Sequence, residues 1–163
     1  MPRELSSTPN TDYKVHTLVR LTPRVAGGHS SLVESNRERQ SIEHPLVTVV
    51  DDDESVRESL PDLLRQFGFS ARAFSSAEEF LSSDCVDQTR CLILDIVMPR
   101  MTGLDLQRQL KLRSPAIPII FITAQKEESM RKRALEQGAV GFLLKPVIST
   151  VLLEAVNVAL RGN

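Results

Sequence analysis

The chain has 163 residues, 41% of them hydrophobic and 25% charged, with 20 basic against 21 acidic side chains and a formal net charge of −1. That balance offers little for nucleic acid or an anionic bilayer to attract, and no apolar run reaches the roughly 18 to 20 residues that span a membrane. "MPRELSSTPN" lacks the apolar core of a secretory signal, and two cysteines, Cys85 and Cys91, are too few for a disulfide framework, so a cytoplasmic protein with reduced cysteines is expected.

In chain order, residues 1–44 come first. They carry His16, His29 and His44, a "GG" pair, scattered Ser, Thr, Asn and Pro, and no sustained apolar period, which predicts a largely disordered extension. The three histidines lie too far apart, without cysteine support, to suggest a metal site. The division falls near Pro45, and residues 45–163 read as one folded domain. "LVTVV" (46–50) predicts a strand, and "ESVRESLPDLLRQF" (54–67) places Val56, Leu60, Leu63, Leu64 and Phe67 on one helical face. Pro61 falls inside that helix, where it removes a hydrogen bond to the carbonyl of Arg57, so a bend or an early break is expected. "SARAF" (70–74) is a second strand. "SSAEEFLSS" is a short helix with a capping box at Ser75–Glu78 or Ser76–Glu79.

The pattern then repeats. "CLILD" (91–95) is a strand, followed by a helix within "GLDLQRQLKLRS", the strand "IPIIFIT" (117–123) and a helix within "KEESMRKRALEQG". The strand "VGFLL" (140–144) and a helix over "VISTVLLEAVNVAL" close the domain. Five strands alternating with five helices predict a parallel sheet with helices on both faces. The near-continuous apolar character of the inner strands fits burial on both sides.

In such a sheet the carboxyl ends of the strands line the crevice where ligands bind. The first strand ends in Asp51, Asp52 and Asp53, the third in Asp95 and the fourth in Thr123, and Lys145-Pro146 follows the fifth. Taken singly, each has a bland reading. A "DDD" run is commonly a helix N-cap, which suits Asp53, a strand-terminal Thr is ordinary β-propensity, and a Lys before Pro is a solvated turn residue. Together they form a chemical set. Converging carboxylates repel unless a hard divalent cation such as Mg²⁺ joins them. A lysine and a hydroxyl can hold phosphate oxygens, and an aspartate can accept a phosphoryl group.

The pieces "VVDDDESVRESL", "LILDIVMPRMTGLDL", "IIFITA" and "ALEQGAVGFLLKP" closely resemble the receiver domain of two-component response regulators over about residues 46–161. The order agrees, as do the separations of 44, 28 and 22 residues from Asp51 to Asp95 to Thr123 to Lys145. The resemblance implies a flavodoxin-like (βα)5 fold with strand order 2-1-3-4-5, and a phosphoacceptor at Asp95. It implies Mg²⁺ bound by Asp52, Asp95 and the carbonyl of Val97, with Asp51 acting largely through water. Thr123 and the amide of Ala124 would contact the phosphoryl group, Lys145 would pair with it, and Phe142 would turn inward as Thr123 moves. It further implies a cis Lys145-Pro146 bond, tight-turn and helix-end roles for Gly103 and Gly138, and control of phosphate lifetime by Val97 and Gln125. Val97 offers no polar handle to an attacking water, so slow self-dephosphorylation is expected.

The resemblance implies a sensor histidine kinase as partner and the aspartyl phosphate as the signal, with no enzymatic activity beyond the domain's own phosphorylation and dephosphorylation. Receivers of this subgroup are often followed by a LuxR-type helix-turn-helix. Here residues 45–163 carry 14 basic and 16 acidic side chains, net −2, which argues against DNA binding by this chain itself. Two expectations follow, a stand-alone receiver or the receiver part of a DNA-binding regulator. On the last helix Ile148, Val151, Leu152, Ala155, Val156 and Ala159 form a core stripe, leaving Leu153, Val158 and Leu160 on other faces. With Lys126, Arg131, Lys132 and Arg133 on the preceding helix, they predict a face for a partner or a second copy on phosphorylation. A Mg²⁺-dependent phosphohydrolase is disfavoured, because "DIVMP" lacks a second acid two residues after the nucleophile. A non-phosphorylated scaffold is disfavoured by the complete chemical set.

Overall fold

The computed structural model describes residues 44–113 and 116–162. The expected extension over residues 1–44 therefore lies, except for His44, outside the described residues. The elements alternate without exception: β1 (Leu46–Val50), α1 (Glu54–Gln66), β2 (Ser70–Phe74), α2 (Ala77–Leu81), β3 (Thr89–Asp95), α3 (Gly103–Lys111), β4 (Ile119–Thr123), α4 (Glu128–Glu136), β5 (Gly141–Leu144) and α5 (Ser149–Arg161). All pairings are parallel in the order β2-β1-β3-β4-β5, the expected flavodoxin-like arrangement.

Side chains of successive strand residues point to opposite faces, so each central strand feeds two cores. Val50, Leu92, Leu94 and Phe121 pack on one face with Phe80, Leu106 and Leu110. Val47, Val49, Ile93, Ile120 and Ile122 pack on the other with Leu60, Leu64, Leu152 and Val156. Both cysteines are free and buried, Cys85 included although it sits in the loop before β3. Thr48, a polar residue in the buried sheet, shares a 2.8 Å hydrogen bond with Thr89, whose hydroxyl also meets the Cys85 carbonyl at 2.7 Å.

Several expectations are corrected. Helix α1 runs through Pro61 to Gln66 without an early break, because the proline is itself buried between the core residues Leu60 and Leu64. Strand β4 begins at Ile119 rather than 117, since Pro118 has no N–H to give a ladder. Its carbonyl instead accepts from Leu92 N at 2.9 Å. On α2, Ser76 accepts from Glu79 N, but the Glu79 carboxylate reaches back to Ser75 N at 2.7 Å, one residue beyond a closed capping box. The closed box lies on α3, between Thr102 and Asp105. Ile148 does not join the core stripe. It is the extended N-cap of α5 and 56% exposed, so the stripe starts later, and Leu160 packs inward in its place.

Candidate functional site

Four strand ends build one site. β1 ends into the turn Asp51–Asp53, where Asp51 is fully buried and its Oδ1 accepts from Asp53 N at 2.9 Å. Asp53 performs the helix-capping role: its carboxylate accepts from Ser55 N and Ser55 Oγ, and these bonds hold it below its ordinary pKa. β3 lies between β1 and β4 and delivers Asp95 at its last position, 5% exposed. Behind it, Gly103 opens α3 in tight contact with the β3 end; a Cβ there would overlap the Asp95 carbonyl and lie 2.9 Å from Ile96 Cα. Gly103 thus serves close approach rather than a turn, whereas Gly138, at φ +97° after α4, fills the expected helix-end role.

Lys145 joins the acids. Its Nζ lies 2.7 Å from Asp51 Oδ2 and 3.6 Å from Asp95 Oδ2. The closer contact is an ion pair whose angle falls short of a well-formed hydrogen bond, and this buried Asp51 oxygen has no other partner. Lys145 N donates to the Thr123 carbonyl at 2.8 Å, which locks the β5 end to the β4 end, and the Lys145-Pro146 bond is cis. Thr123, 1% exposed, accepts from Gln125 N through its hydroxyl at 3.2 Å. Ala124 is exposed, and its amide makes no hydrogen bond among the described residues. Val97 is 43% exposed, and its amide approaches Asp95 Oδ1 at 3.4 Å, at the long limit of a hydrogen bond. Phe142 is half-buried on β5, in register with Phe121.

Electrostatics follow from this crowding. Burial pushes the Asp95 carboxyl up to about 6, with Asp51 adding to the rise and Lys145 opposing it. Burial works to lower the Lys145 pKa, but its contacts with Asp51 and Asp95 outweigh that and hold it above the ordinary value. Asp51, Asp52 and Asp95 each place an oxygen within 4.8 Å of the others. Three carboxylates facing one ammonium leave negative charge in excess, and a hard divalent cation with oxygen ligands fits both that charge and the buried Asp51 Oδ2, which has only the Lys145 ion pair.

A doubly wound sheet that gathers these acids around a terminal aspartate, with a lysine and a hydroxyl alongside, defines a class: a phosphoacceptor signalling module. Comparison with known proteins gives the family. The response regulator receiver domain matches residues 47–157, and the chain belongs to that family. It is 44% identical over 116 residues to the response regulator protein TodT of Pseudomonas putida, covering 71% of this chain and 51% of that one. It is 43% identical over 117 residues to the transcriptional regulatory protein TdiR of Thauera aromatica, covering 72% and 52%. Among solved structures, response regulator StyR aligns at 47% identity with a TM-score of 0.68, covering 74% of this chain and 61% of that one. The chain spans about half the length of the curated relatives it matches. No helix among the described residues is long and apolar enough to cross a membrane.

The contact missing from the sequence reading is Lys145 with Asp51, which sequence separation hides. Arg57 was also missed: its Nη1 donates to the carbonyls of Asp51 and Asp52 at 3.0 and 2.7 Å. Its only sequence signal is a cation in the first turn of a helix, where the dipole disfavours one.

Proposed function

We propose that Asp95 takes a phosphoryl group from a sensor histidine kinase in the cytoplasm and so sets the signalling state of the domain, which folds as a unit from about Pro45. The Asp95 carboxylate attacks phosphorus in line as the bond to the donor nitrogen breaks, and the donor imidazole keeps the bonding pair. Asp52, Asp95 and the Val97 carbonyl, with Asp51 largely through water, would hold Mg²⁺, which would neutralise charge on the transferring group. Lys145, already shared between Asp51 and Asp95, pairs with a phosphoryl oxygen. Thr123 turns its hydroxyl from the Gln125 amide toward the phosphate, the Ala124 amide donates a further hydrogen bond, and Phe142 moves inward behind Thr123. The change reaches the face of α4, β5 and α5, where a partner or a second copy docks. The domain catalyses only its own phosphorylation and dephosphorylation.

The observation that carries this reading is Asp95, buried at the sheet's carboxyl edge and sharing one lysine with Asp51. Incubation with acetyl phosphate and Mg²⁺, followed by intact-mass measurement, tests it. One phosphoryl group should be gained, and lost in Asp95→Asn or in EDTA. Continuous turnover of phosphate esters would favour a phosphohydrolase, and an unchanged mass a non-phosphorylated scaffold.

A second reading concerns the output. TdiR is described as a transcriptional regulator and is about twice as long as the matched segment, which supports this chain as the receiver part of a DNA-binding regulator. DNA contact would then belong to residues outside this chain, given the net charge of −2 over residues 45–163.

A further inference from the structure

The three acids of the cation site are not equally held. Asp51 has two anchors, Asp53 N and Lys145, and Asp95 lies buried beneath Lys145. Asp52 is exposed, and its carboxylate has neither a hydrogen bond nor an ion pair among the described residues. Its aim therefore depends on the backbone of the turn alone.

That backbone is itself short of partners. The carbonyls of Asp51 and Asp52 follow the last β1 residue and precede α1, and no backbone N–H among the described residues donates to either. Arg57 supplies both bonds from one nitrogen. The residue is half-buried in the first turn of α1, where side chains lean back toward the helix start and a cation opposes the dipole. The helix alone gives no reason to place an arginine there, whereas the two carbonyls do. Glu79 on α2 lies near enough for Arg57 to help hold its carboxyl low, after the Ser75 hydrogen bonds.

We propose that Arg57 is a positioning residue for the divalent cation: by fixing two consecutive carbonyls it orients the turn so that Asp52 faces the ion shared by Asp51 and Asp95. This rests on the cation site proposed above. It also makes a prediction opposite in sign to simple electrostatics. Removing a positive charge beside a cation site should tighten binding by Coulomb's law. Removing a group that orients a ligand should weaken it, and partners of metal ligands are typically worth about ten- to a hundred-fold in affinity.

Mn²⁺ serves as the probe, with the free ion read by electron paramagnetic resonance, on wild type, Arg57→Met and Arg57→Lys. Melting in EDTA is measured alongside to separate folding from ion binding. Wild type should bind one Mn²⁺ saturably, Arg57→Met about ten-fold more weakly, and Arg57→Lys, able to reach one carbonyl, in between. Unchanged or tighter binding by Arg57→Met would overturn the positioning role while leaving the cation site standing. Absence of saturable binding by wild type would overturn both. Should Arg57→Met not fold, Arg57→Lys decides: weaker binding with an unchanged melting midpoint supports the role, and wild-type affinity overturns it.

Discussion

Helices α1 and α4 both leave the carboxyl edge of the sheet, yet they are held in different ways. α1 is capped by the Asp53 carboxylate, buries Leu60, Pro61 and Leu64, and ties back to the β1 turn through Arg57. α4 has no side-chain cap, and Ala134 is its one buried residue. The side-chain hydrogen bonds to α4 come from α3 and lie at its far end, where Gln107 donates to the Ala134 carbonyl at 3.2 Å and Lys111 to the Gln137 carbonyl at 3.3 Å, while nearer its start the half-buried Met130 packs on the core. The half of the domain that carries the acids is built to stay in place. The helix that follows Thr123 is attached loosely at the end nearest the site, where a small movement of that threonine can be felt.

The largest expected effect sharpens this contrast. Leu64→Ala, in the α1 core at 1% exposure, should cost about 3 kcal/mol in urea unfolding, while Leu135→Ala on α4, at 39% exposure, should cost below about 1. Similar losses from the two would break the comparison. Gly103→Ala should cost about 2 to 3 kcal/mol, because the clash is with the backbone of Asp95 and Ile96 and no flexible side chain can give way. The same variant should slow phosphoryl uptake, and an unaltered melting point would show that the β3 turn is not rigid.

Asp95 tests the electrostatics. Its folded pKa, raised to about 6, means that its contribution to stability is present below pH ~4 and is lost as the pH rises toward and through 6. Metal-free Asp95→Asn should therefore be more stable than wild type at pH 7.5 by about 2 kcal/mol. That gap should close toward pH 4 and shrink when Mg²⁺ is added to wild type. Equal stability across this range would contradict a strained, buried carboxylate. The smallest effect concerns phosphate lifetime. With Val97 exposed but apolar, wild type should lose phosphate over hours, and Val97→Asn should alter that rate without moving the melting point. Loss within minutes from wild type, slowed further by Asn, would oppose the role of Val97.

Local signals made most of the fold legible. The switch between short apolar runs and helical periodicity marked ten elements in their observed order, because the inner strands are short and apolar and every helix is bounded by a cap or a glycine. The site acids were legible for the same reason: each ends a strand, and a parallel sheet brings all such ends to one edge. Relations between distant residues were not. Nothing near Lys145 announces that Asp51 is closer to it than Asp95. Arg57, read by charge, belongs to a solvated helix face, and only the turn's unmet carbonyls give it a purpose. Pro61 shows another limit: of the bend or early break that its missing N–H predicts, the break does not occur, because the sequence says nothing of the core that holds the helix together around it. Ile148 fits the apolar stripe by spacing, yet its extended backbone places it before the helix begins.

Hydrogen exchange, read peptide by peptide with and without Mg²⁺ and beryllofluoride, tests most directly whether a fixed chemical half carries a loosely held reporter. In the free domain, α4 amides from residue 128 onward should exchange faster than those of α1 past its first turn. On adding the phosphate mimic, residues 123–133 should change their exchange while residues 58–66 do not. Equal protection of the two helices in the free state, or a response in α1 as large as that in α4, would contradict the account.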